Sequence, residues 1–312
     1  MAVKFSVVIP LFNKEAYVLK TLKSVCKQTY TDFEIIVVND CSTDASLDIV
    51  TQLNDIRIRI IEHTKNLGLS ATRNSGIEAA RNDYIAFLDA DDCWDANFLA
   101  SIVTLIKKFP NHKAFATHYR ENYNGTLFIP KTKLFQKNKG DSFTIPNFFK
   151  LNLGRLILTQ SCLVVHKAAL NELDSYNPSI TFAEDIDFYI RCFSKFDLAY
   201  YYKPCHTQNT TVSNSLTQSS TSDKTYPDLK KYLGKSDELD AFIYFYMYCF
   251  CQRLKLENRL HDVRTLRKKI DIKHLNSLQV ILLYQPKSLY ALLIKIKKKL
   301  MIRGVQPTTY SS

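Results

Sequence analysis

The sequence predicts an α/β chain built on a doubly wound, mostly parallel sheet and continued by a helical, basic C-terminal region. Three observations predict it. In the first third, short runs rich in β-branched residues alternate with segments whose apolar residues recur at the helical period. One of those runs, Tyr84 to Leu88, is apolar throughout, as a strand covered on both faces of a parallel sheet is. From residue 237 to 303 the sequence reads as helical, and Lys and Arg accumulate there.

Taken in order, Phe5 to Ile9 is a strand, and Glu15 to Gln28 is a helix with Ala16, Leu19, Leu22, Val25 and Cys26 on one stripe. Glu34 to Val38 is the second strand. Ser42 to Asn54 is a helix, with Ser42 as candidate cap and Asp44 in its first turn. Arg57 to Glu62 is a strand, Ser70 to Ala80 a helix and Tyr84 to Leu88 a strand. This βαβα order implies a parallel sheet with helices on both faces. From about Phe115 the texture changes: Asn122 to Lys150 reads as loop, Thr159 to Val165 as strand, Ala183 to Phe193 as helix and the run LAYYYKPC as strand-like. Residues 207–225 are polar and nearly free of large apolar groups, the composition of a linker or of a loop that orders on a partner.

With 312 residues, 46% hydrophobic and 23% charged, the chain can bury a large core in one or two domains. The longest apolar run, Ala241 to Cys251, is too short to span a bilayer. The opening MAVKFSVVIPLF meets Pro10 and reads as a strand rather than a signal peptide. Eight cysteines without CxxC pairs argue for a reducing cytosol and against a disulfide or zinc framework. The net charge of +12 is concentrated at one end: residues 221–312 hold 18 basic against 8 acidic groups, and residues 1–220 hold 24 against 22. A basic tail on a nearly neutral body points to an anionic partner, a membrane surface or a nucleic acid. No helix-turn-helix spacing, zinc pattern or interleaving of aromatic and basic residues supports nucleic acid.

The stretch YIAFLDADDCWDANFL ends a strand in Asp89, Asp91 and Asp92. Like charges this close repel unless a cation lies between them, and an oxygen-only cluster suits Mg²⁺ or Mn²⁺. The same carboxylates also suit a helix start, with Asp92 or Asp95 as cap. The carboxyl ends of the other early strands, VVIPLFNKE, VVNDCSTD and HTKNLGLSATRNSGI, are polar as well, where an open α/β sheet binds ligands. Asp40 has no local basic partner, which suits a hydrogen bond to a base or ribose, or a cap for the helix that follows. Asn66, Gly68 and Arg73 surround a turn into a helix; Gly68 permits positive φ or close backbone approach, and Arg73 near a helix start favours phosphate. Neither GxGxxG nor GxxxxGK[ST] occurs.

The motifs SVVIPLFN, VVNDCSTDAS, NLGLSATRNSGI, FLDADD and FAEDIDFYIR, in that order over residues 5–205, resemble those of the family 2 glycosyltransferases. The resemblance implies the A-type nucleotide-sugar fold, with a catalytic domain over residues 1–220, divided into a nucleotide-sugar half (1–112) and an acceptor half (113–220), and a helical basic region over 221–312. It implies that Pro10, Glu15 and Asp40 hold the base, commonly uracil, that Asn66 and Arg73 lie near ribose and diphosphate, and that Asp89 and Asp91 hold ribose and metal, Mn²⁺ or Mg²⁺. Asn39, Cys41, Phe12 and the pair Ala71-Thr72 depart from the family's usual residues, and Phe12 lacks a hydroxyl. Asp185, in FAEDIDFYIR, is the candidate general base for an inverting transfer, unless it merely decorates a helix start with Glu184 and Asp187. His206 matches a family histidine that approaches the diphosphate or metal, although a lone His is commonly structural. Trp94 is a candidate sugar platform, and Gln208 to Ser222 a segment that closes over the donor.

The expectation is a cytoplasmic, inverting, metal-dependent glycosyltransferase. It would move a sugar from a nucleoside-diphosphate sugar, a UDP-sugar, to a saccharide or lipid-linked acceptor in surface polysaccharide biosynthesis. The runners-up are a nucleotidyltransferase, which would need a basic glycine-rich loop that PLFNKEAY does not supply, and a non-catalytic membrane-associated scaffold. In SLYALLIKIKKKLMIR, Leu289, Leu292, Leu293, Ile296 and Leu300 form an apolar stripe flanked by Lys295, Lys297, Lys298 and Lys299, which suits peripheral contact with the anionic inner face of the cell membrane, or docking on the protein's own body.

Overall fold

The computed structural model describes residues 2–130, 132, 134, 141–212 and 224–302. The four early apolar runs become β1 (Phe5–Leu11), β2 (Phe33–Asn39), β3 (Ile58–Glu62) and β4 (Tyr84–Phe87), joined by α1 (Val18–Cys26), α2 (Ser46–Thr51) and α3 (Leu69–Ala79). β1 lies parallel to β2, with Phe5 beside Phe33 and Leu11 beside Asn39, and β2 lies parallel to β3. On its other side β1 pairs with β4, from Phe5 beside Tyr84 to Val8 beside Phe87. The chain therefore runs outward from β1 to β3 and then crosses back to β4. This reversal makes a topological switch point between β1 and β4, which opens a crevice beyond their carboxyl ends.

α1 and α2 are shorter than their periodicity suggested, because the segments before them are tied to each other. Backbone N–H groups of Asn13, Lys14 and Glu15 donate to side chains of Ser42, Ser46 and Asp44, while the Asn13 and Glu15 side chains accept from the N–H groups of Thr43 and Ala45. Gly76 of α3 lies against Val8, where an added Cβ would come within 2.3 Å of a methyl carbon, so α3 packs directly on β1.

Beyond β4 the sheet becomes mixed. β9 (Leu163–His166) runs antiparallel to β4, β6 (Ala114–Tyr123) runs antiparallel to β9, and β10 (Leu198–Asn209) runs parallel to β6. β5 (Cys93–Trp94) closes the edge on β10, with Trp94 opposite His206. The stretch expected to be loop contributes β7 (Thr126–Phe128), β8 (Ser142–Ile145) and the short α5 (Phe148–Leu151). Its isolated aromatics anchor it: Phe143 of β8 packs against Tyr200 of β10, and Phe148 stacks on Phe193. Strand pairing there is decided by these distant contacts, which local periodicity does not display.

α4 (Phe98–Lys108) packs on β6 and β10, while α6 (Lys167–Glu172) and α7 (Glu184–Phe193) follow β9 in the chain. The remainder is α8 (Asp237–Leu256), α9 (Leu260–Arg267), α10 (Ser277–Tyr284) and α11 (Lys287–Ile302). Phe242 of α8 packs on both Phe148 and Phe149, and a single buried cluster runs from Phe5 to Leu283. The Tyr232 hydroxyl donates to Asp187 of α7 at 2.8 Å, with Lys231 at 3.3 Å from the same oxygen. The C-terminal helices thus share the core of the sheet, and the boundary expected near residue 220 lies outside the described residues. Among the described residues, no helix is long and apolar enough to cross a membrane.

Candidate active site

Two strand ends meet at the switch point. Lys14, three residues past β1, places its ammonium 2.8 Å from Asp91 Oδ2, and Asp89 lies two residues past β4. Pro10 sits past Val8, where the β4 register ends, so its missing N–H removes no bond to that strand. The Ser161 hydroxyl accepts from the Asp89 N–H at 3.1 Å and donates to Asp92 at 2.7 Å. Burial, and next the charge of Asp92, push the Asp91 carboxyl up to about 6, against the pull of Lys14.

Arg73 joins this crevice to the start of α7. Its side chain is 2% exposed, with Nη2 2.8 Å from Asp89 Oδ1 and Nη1 2.6 Å from Glu184 Oε1. Burial works against its charge, but Asp89 and Glu184 more than offset that and hold it above its ordinary range. The guanidinium is committed to two carboxylates. What it does is bring α7, and with it Asp185, to the β4 end. Asp185 is half-buried, and burial together with Glu184 pushes its carboxyl up to about 7, with Arg73 pulling the other way. Asp187 points away, bonded to Arg191 and Tyr232. Arg73→Met should destabilise the fold by about 3–5 kcal/mol, since it strands the buried Glu184 carboxylate. Urea unfolding measures this, and Arg73→Met with Glu184→Met should recover most of the loss; an Arg73→Met protein as stable as the parent would refute the bridging role.

Asp40 is buried and mostly satisfied by its own chain. Its Oδ1 accepts from Leu67 N–H at 2.8 Å and lies 2.8 Å from His63 Nδ1, while Oδ2 accepts from Gly68 N–H at 2.9 Å. One acceptor position on Oδ2 remains for a ligand. His63 Nε2 lies 2.9 Å from the Ser75 hydroxyl, so a Ser75–His63–Asp40 chain runs from α3 to the crevice. Asn66 donates to the Asp40 carbonyl, and Gly68, at φ +85°, makes the turn that lets consecutive N–H groups reach one carboxylate. Glu15 accepts from Ala45 N–H at 2.9 Å, so it secures the second strand's loop.

His206 and Trp94 lie behind the crevice. His206 is fully buried, with Nε2 3.1 Å from Asp92 Oδ2 and Nδ1 3.4 Å from the Thr159 hydroxyl. Both ring nitrogens are occupied, so it braces Asp92. Trp94 is buried, stacks on Phe98 at 4.1 Å between ring centroids and donates from Nε1 to the Ser161 carbonyl at 2.6 Å. The sugar-platform expectation fails for that reason: the ring is part of the core. Neither Asp92 nor Asp95 caps α4, whose N-cap is Asn97; Asp95 pairs with Arg120 instead. Of the segment expected to close over a donor, residues 213–222 lie outside the described residues. Its start is anchored: the Asn209 N–H donates to Asp92 at 2.9 Å and its amide donates to the Asp91 carbonyl.

Lys14, Ser161, His63 and Asn209 were not among the sequence-predicted site residues. Lys14 had a signal, a lone cation in a strand-end loop facing an acidic strand end; the other three become visible only when distant elements meet. Among the described residues, no three His, Cys, Asp or Glu side chains converge as a metal site. Two hard carboxylates nevertheless suit Mg²⁺ or Mn²⁺, which commonly take one or two carboxylates and complete their shell with phosphate and water. Asp91, paired with Lys14, and Asp89, one-third exposed with Oδ1 on Arg73, are the two that could serve.

A family model described as "Glycosyl transferase family 2" matches residues 6–174. Among curated proteins, the chain is 35% identical over 126 residues to Glycosyltransferase GlyA of Streptococcus pneumoniae, covering 40% of this chain and 18% of that one. It is 30% identical over 212 residues to the poly(ribitol-phosphate) beta-N-acetylglucosaminyltransferase TarS of Staphylococcus aureus, covering 64% and 35%. To the UDP-Glc:alpha-D-GlcNAc-diphosphoundecaprenol beta-1,3-glucosyltransferase WfgD of Escherichia coli it is 32% identical over 132 residues, covering 42% and 51%. The matched segments span between about a fifth and about half of these relatives' lengths. The crystal structure of S. aureus TarS 1–349 in complex with UDP-GlcNAc superposes with a TM-score of 0.59 at 20% identity, covering 86% of this chain and 74% of that one, a likeness of fold.

Proposed function

From the premise that the chain belongs to glycosyl transferase family 2, we propose that it is an inverting transferase that moves a sugar from a UDP-sugar to a saccharide or lipid-linked saccharide in surface polysaccharide biosynthesis. One observation carries the reading: buried Arg73 ties Asp89, at the donor end, to Glu184, the neighbour of Asp185, at the acceptor end. Two carboxylate groups with different tasks thereby face one crevice. The UDP-Glc donor in the name of WfgD and the UDP-GlcNAc complex of TarS favour a nucleoside-diphosphate sugar donor.

In this reading the uracil lies over the ends of β1 and β2, with the open position on Asp40 Oδ2 as its acceptor and Asn66, Glu15 and Pro10 shaping the pocket. Asp91 and Asp89 would hold Mn²⁺ or Mg²⁺, which when bound offsets charge on the diphosphate. Lys14 is close enough to act on the same phosphates once Asp91 turns to the metal. Asp185 takes the proton of the acceptor hydroxyl as that oxygen attacks the anomeric carbon and the nucleoside diphosphate leaves from the opposite face. Arg73 and His206 act through others: one aligns Asp89 and Glu184, the other braces Asp92. The test is a thermal-shift panel of UDP, GDP, CDP and dTDP sugars with and without Mn²⁺. A UDP-sugar at about 100 times its Kd should add roughly 2.7 kcal/mol, and no response to any donor would overturn the reading.

The same reading includes peripheral attachment to the cytoplasmic membrane face. Leu289, Leu292, Leu293 and Ile296 of α11 stand 39–52% exposed, and Leu278, Ile281 and Tyr284 of α10 are exposed as well. Docking on the protein's own body would have covered that stripe, and Lys295 and Lys299 beside it are exposed. Each Lys near an anionic leaflet contributes on the order of 1 kcal/mol, screened by salt. Co-sedimentation with anionic vesicles at low salt should fall sharply in a variant with Glu at Lys295, Lys297, Lys298 and Lys299; equal binding by both forms would discard the attachment.

A further inference from the structure

The chain turns into α7 at Ala183, whose backbone lies in the left-handed region at φ 60° and ψ 36°. That region is costly for a residue with a Cβ and persists only where the surroundings hold it. Ahead of the turn, Glu184 is held by Arg73 at 2.6 Å. Behind it, the Ser70 hydroxyl donates to the Ile180 carbonyl at 3.0 Å, and the N–H groups of Thr181 and Phe182 both donate to the Thr225 carbonyl, at 3.1 and 3.2 Å. The Thr225 N–H donates back to the Thr181 hydroxyl at 2.9 Å. Asp185, two residues past the turn, takes its direction from these two holds.

Phe182, next to the turn, is half-buried and caged. Its ring centroid lies 4.7 Å from the Lys224 ammonium, 5.7 Å from the centre of the Arg253 guanidinium and 5.1 Å from the centroid of the Tyr226 ring. The Glu257 carboxylate ties the cage together: Arg253 Nε lies 2.7 Å from it and Lys224 Nζ 3.4 Å, and the Tyr226 hydroxyl donates to it at 3.4 Å. The cage is fixed to the C-terminal helices, because Arg253 and Glu257 belong to the end of α8, Tyr226 packs on Phe250 of α8 at 5.0 Å, and Arg259 donates to the Lys224 carbonyl.

The side chains of Lys224 and Glu257 are 2% and 6% exposed. Buried ion pairs are a poor source of stability, since apolar residues of similar volume would fill such a space as well or better. What cations around a ring add is direction, for they are drawn to its face and not to its edge. The cage therefore orients Phe182, and through it the backbone of the strained turn. All of its members follow residue 174, where the match to the family model ends.

We propose that Phe182 is a positioning residue for the Asp185 base, and that α8, through the cage of Lys224, Tyr226, Arg253 and Glu257, belongs to the transfer machinery. The proposal rests on the transferase reading and on the place of Asp185 in it. A general base must lie within hydrogen-bonding reach of the acceptor hydroxyl, and a displacement of about 1 Å can cost on the order of a hundredfold in rate.

The experiment compares the full chain with Phe182→Ala, Phe182→Leu and Phe182→Tyr in steady-state transfer, in the thermal shift given by a UDP-sugar and in amide hydrogen exchange. Phe182→Ala should lower kcat about tenfold to a hundredfold while the donor KM and the thermal shift stay at the parent's values. Amides in the first turn of α7 should exchange about tenfold faster or more, and those of β1 to β4 should not change. Phe182→Leu, which keeps apolar bulk but offers no ring face, should behave like Phe182→Ala, and Phe182→Tyr should restore most of the rate. Parent-like kcat and parent-like exchange at α7 in Phe182→Ala would overturn the positioning role, and so would parent-like behaviour of Phe182→Leu. Loss of donor binding in step with kcat, or faster exchange throughout β1 to β4, would also overturn it, because the ring would then hold only the fold. If the parent transfers no sugar from any donor while Phe182→Ala still loosens α7 alone, the hold on α7 stands and the transferase reading falls.

Discussion

Asp91→Ala is expected to abolish the metal-dependent part of donor binding. Mg²⁺ and Mn²⁺ in such sites keep part of their water shell and take few protein ligands, so each carboxylate weighs heavily. Asp89 cannot replace the lost oxygen, because one of its two oxygens is held by Arg73 at 2.8 Å. Losing even an outer-shell partner commonly costs 10–100-fold in metal affinity, and removal of a direct ligand should exceed that. The fold should survive: the ionised form of this carboxyl is disfavoured by burial and by Asp92, and Lys14, its partner, can extend to solvent. Calorimetric titration of a UDP-sugar with and without Mn²⁺ reads the result. If the variant binds donor in a metal-dependent way as tightly as the parent, Asp91 is not a ligand.

Asp185→Asn is nearly isosteric but cannot take a proton, so transfer should fall by roughly 10²–10⁴-fold while donor affinity persists. Loss of donor binding in step with turnover would instead assign Asp185 a structural place at the start of α7. Its pH signature gives a second reading. The carboxyl is pushed up from 3.8 to about 7, first by burial and next by Glu184. A base must be ionised to act, so the parent's transfer rate should rise as pH passes through about 7, and the residual rate of the variant should lack that rise. Stability follows the opposite course. A carboxyl whose folded value lies above its unfolded one binds more protons in the native state, so its contribution to stability is full below about 4 and is lost as pH rises to about 7. Asp185→Asn should remove that slope from the urea midpoint measured against pH.

Much of the first third of the chain was legible because its signals are local. Apolar, β-branched runs such as FSVVIPL and FEIIVVN read as interior strands, and their alternation with helical stripes points to parallel pairing and a crevice at the strand ends. The acidic end of β4 was legible for the same reason, since a charge run after a buried strand is visible without any partner. The helix starts were less so: the cross-strand bonds between residues 13–15 and 42–46 consumed groups that would have extended α1 and α2.

What the tertiary structure decided were the matters settled by partners far apart in the chain. Arg73 looks like a phosphate ligand in NLGLSATRNSGI, yet Glu184 lies 111 residues away and claims it. His206 has no neighbour in sequence to bind it, but β5 pairs with β10 and sets Asp92 against its ring, turning an expected ligand into a brace. Trp94 follows an acidic cluster and still enters the core, because Phe98 and the Ser161 carbonyl satisfy both its face and its N–H. The sequence by itself determined the parallel part of the sheet, β1 to β4, the crevice and the kinds of group that line it, since these follow from hydrophobic periodicity and the preferences of single residues. Which of those groups remain open to a ligand was decided by tertiary structure alone, because a buried charge or ring takes whatever partner the fold brings within hydrogen-bonding distance.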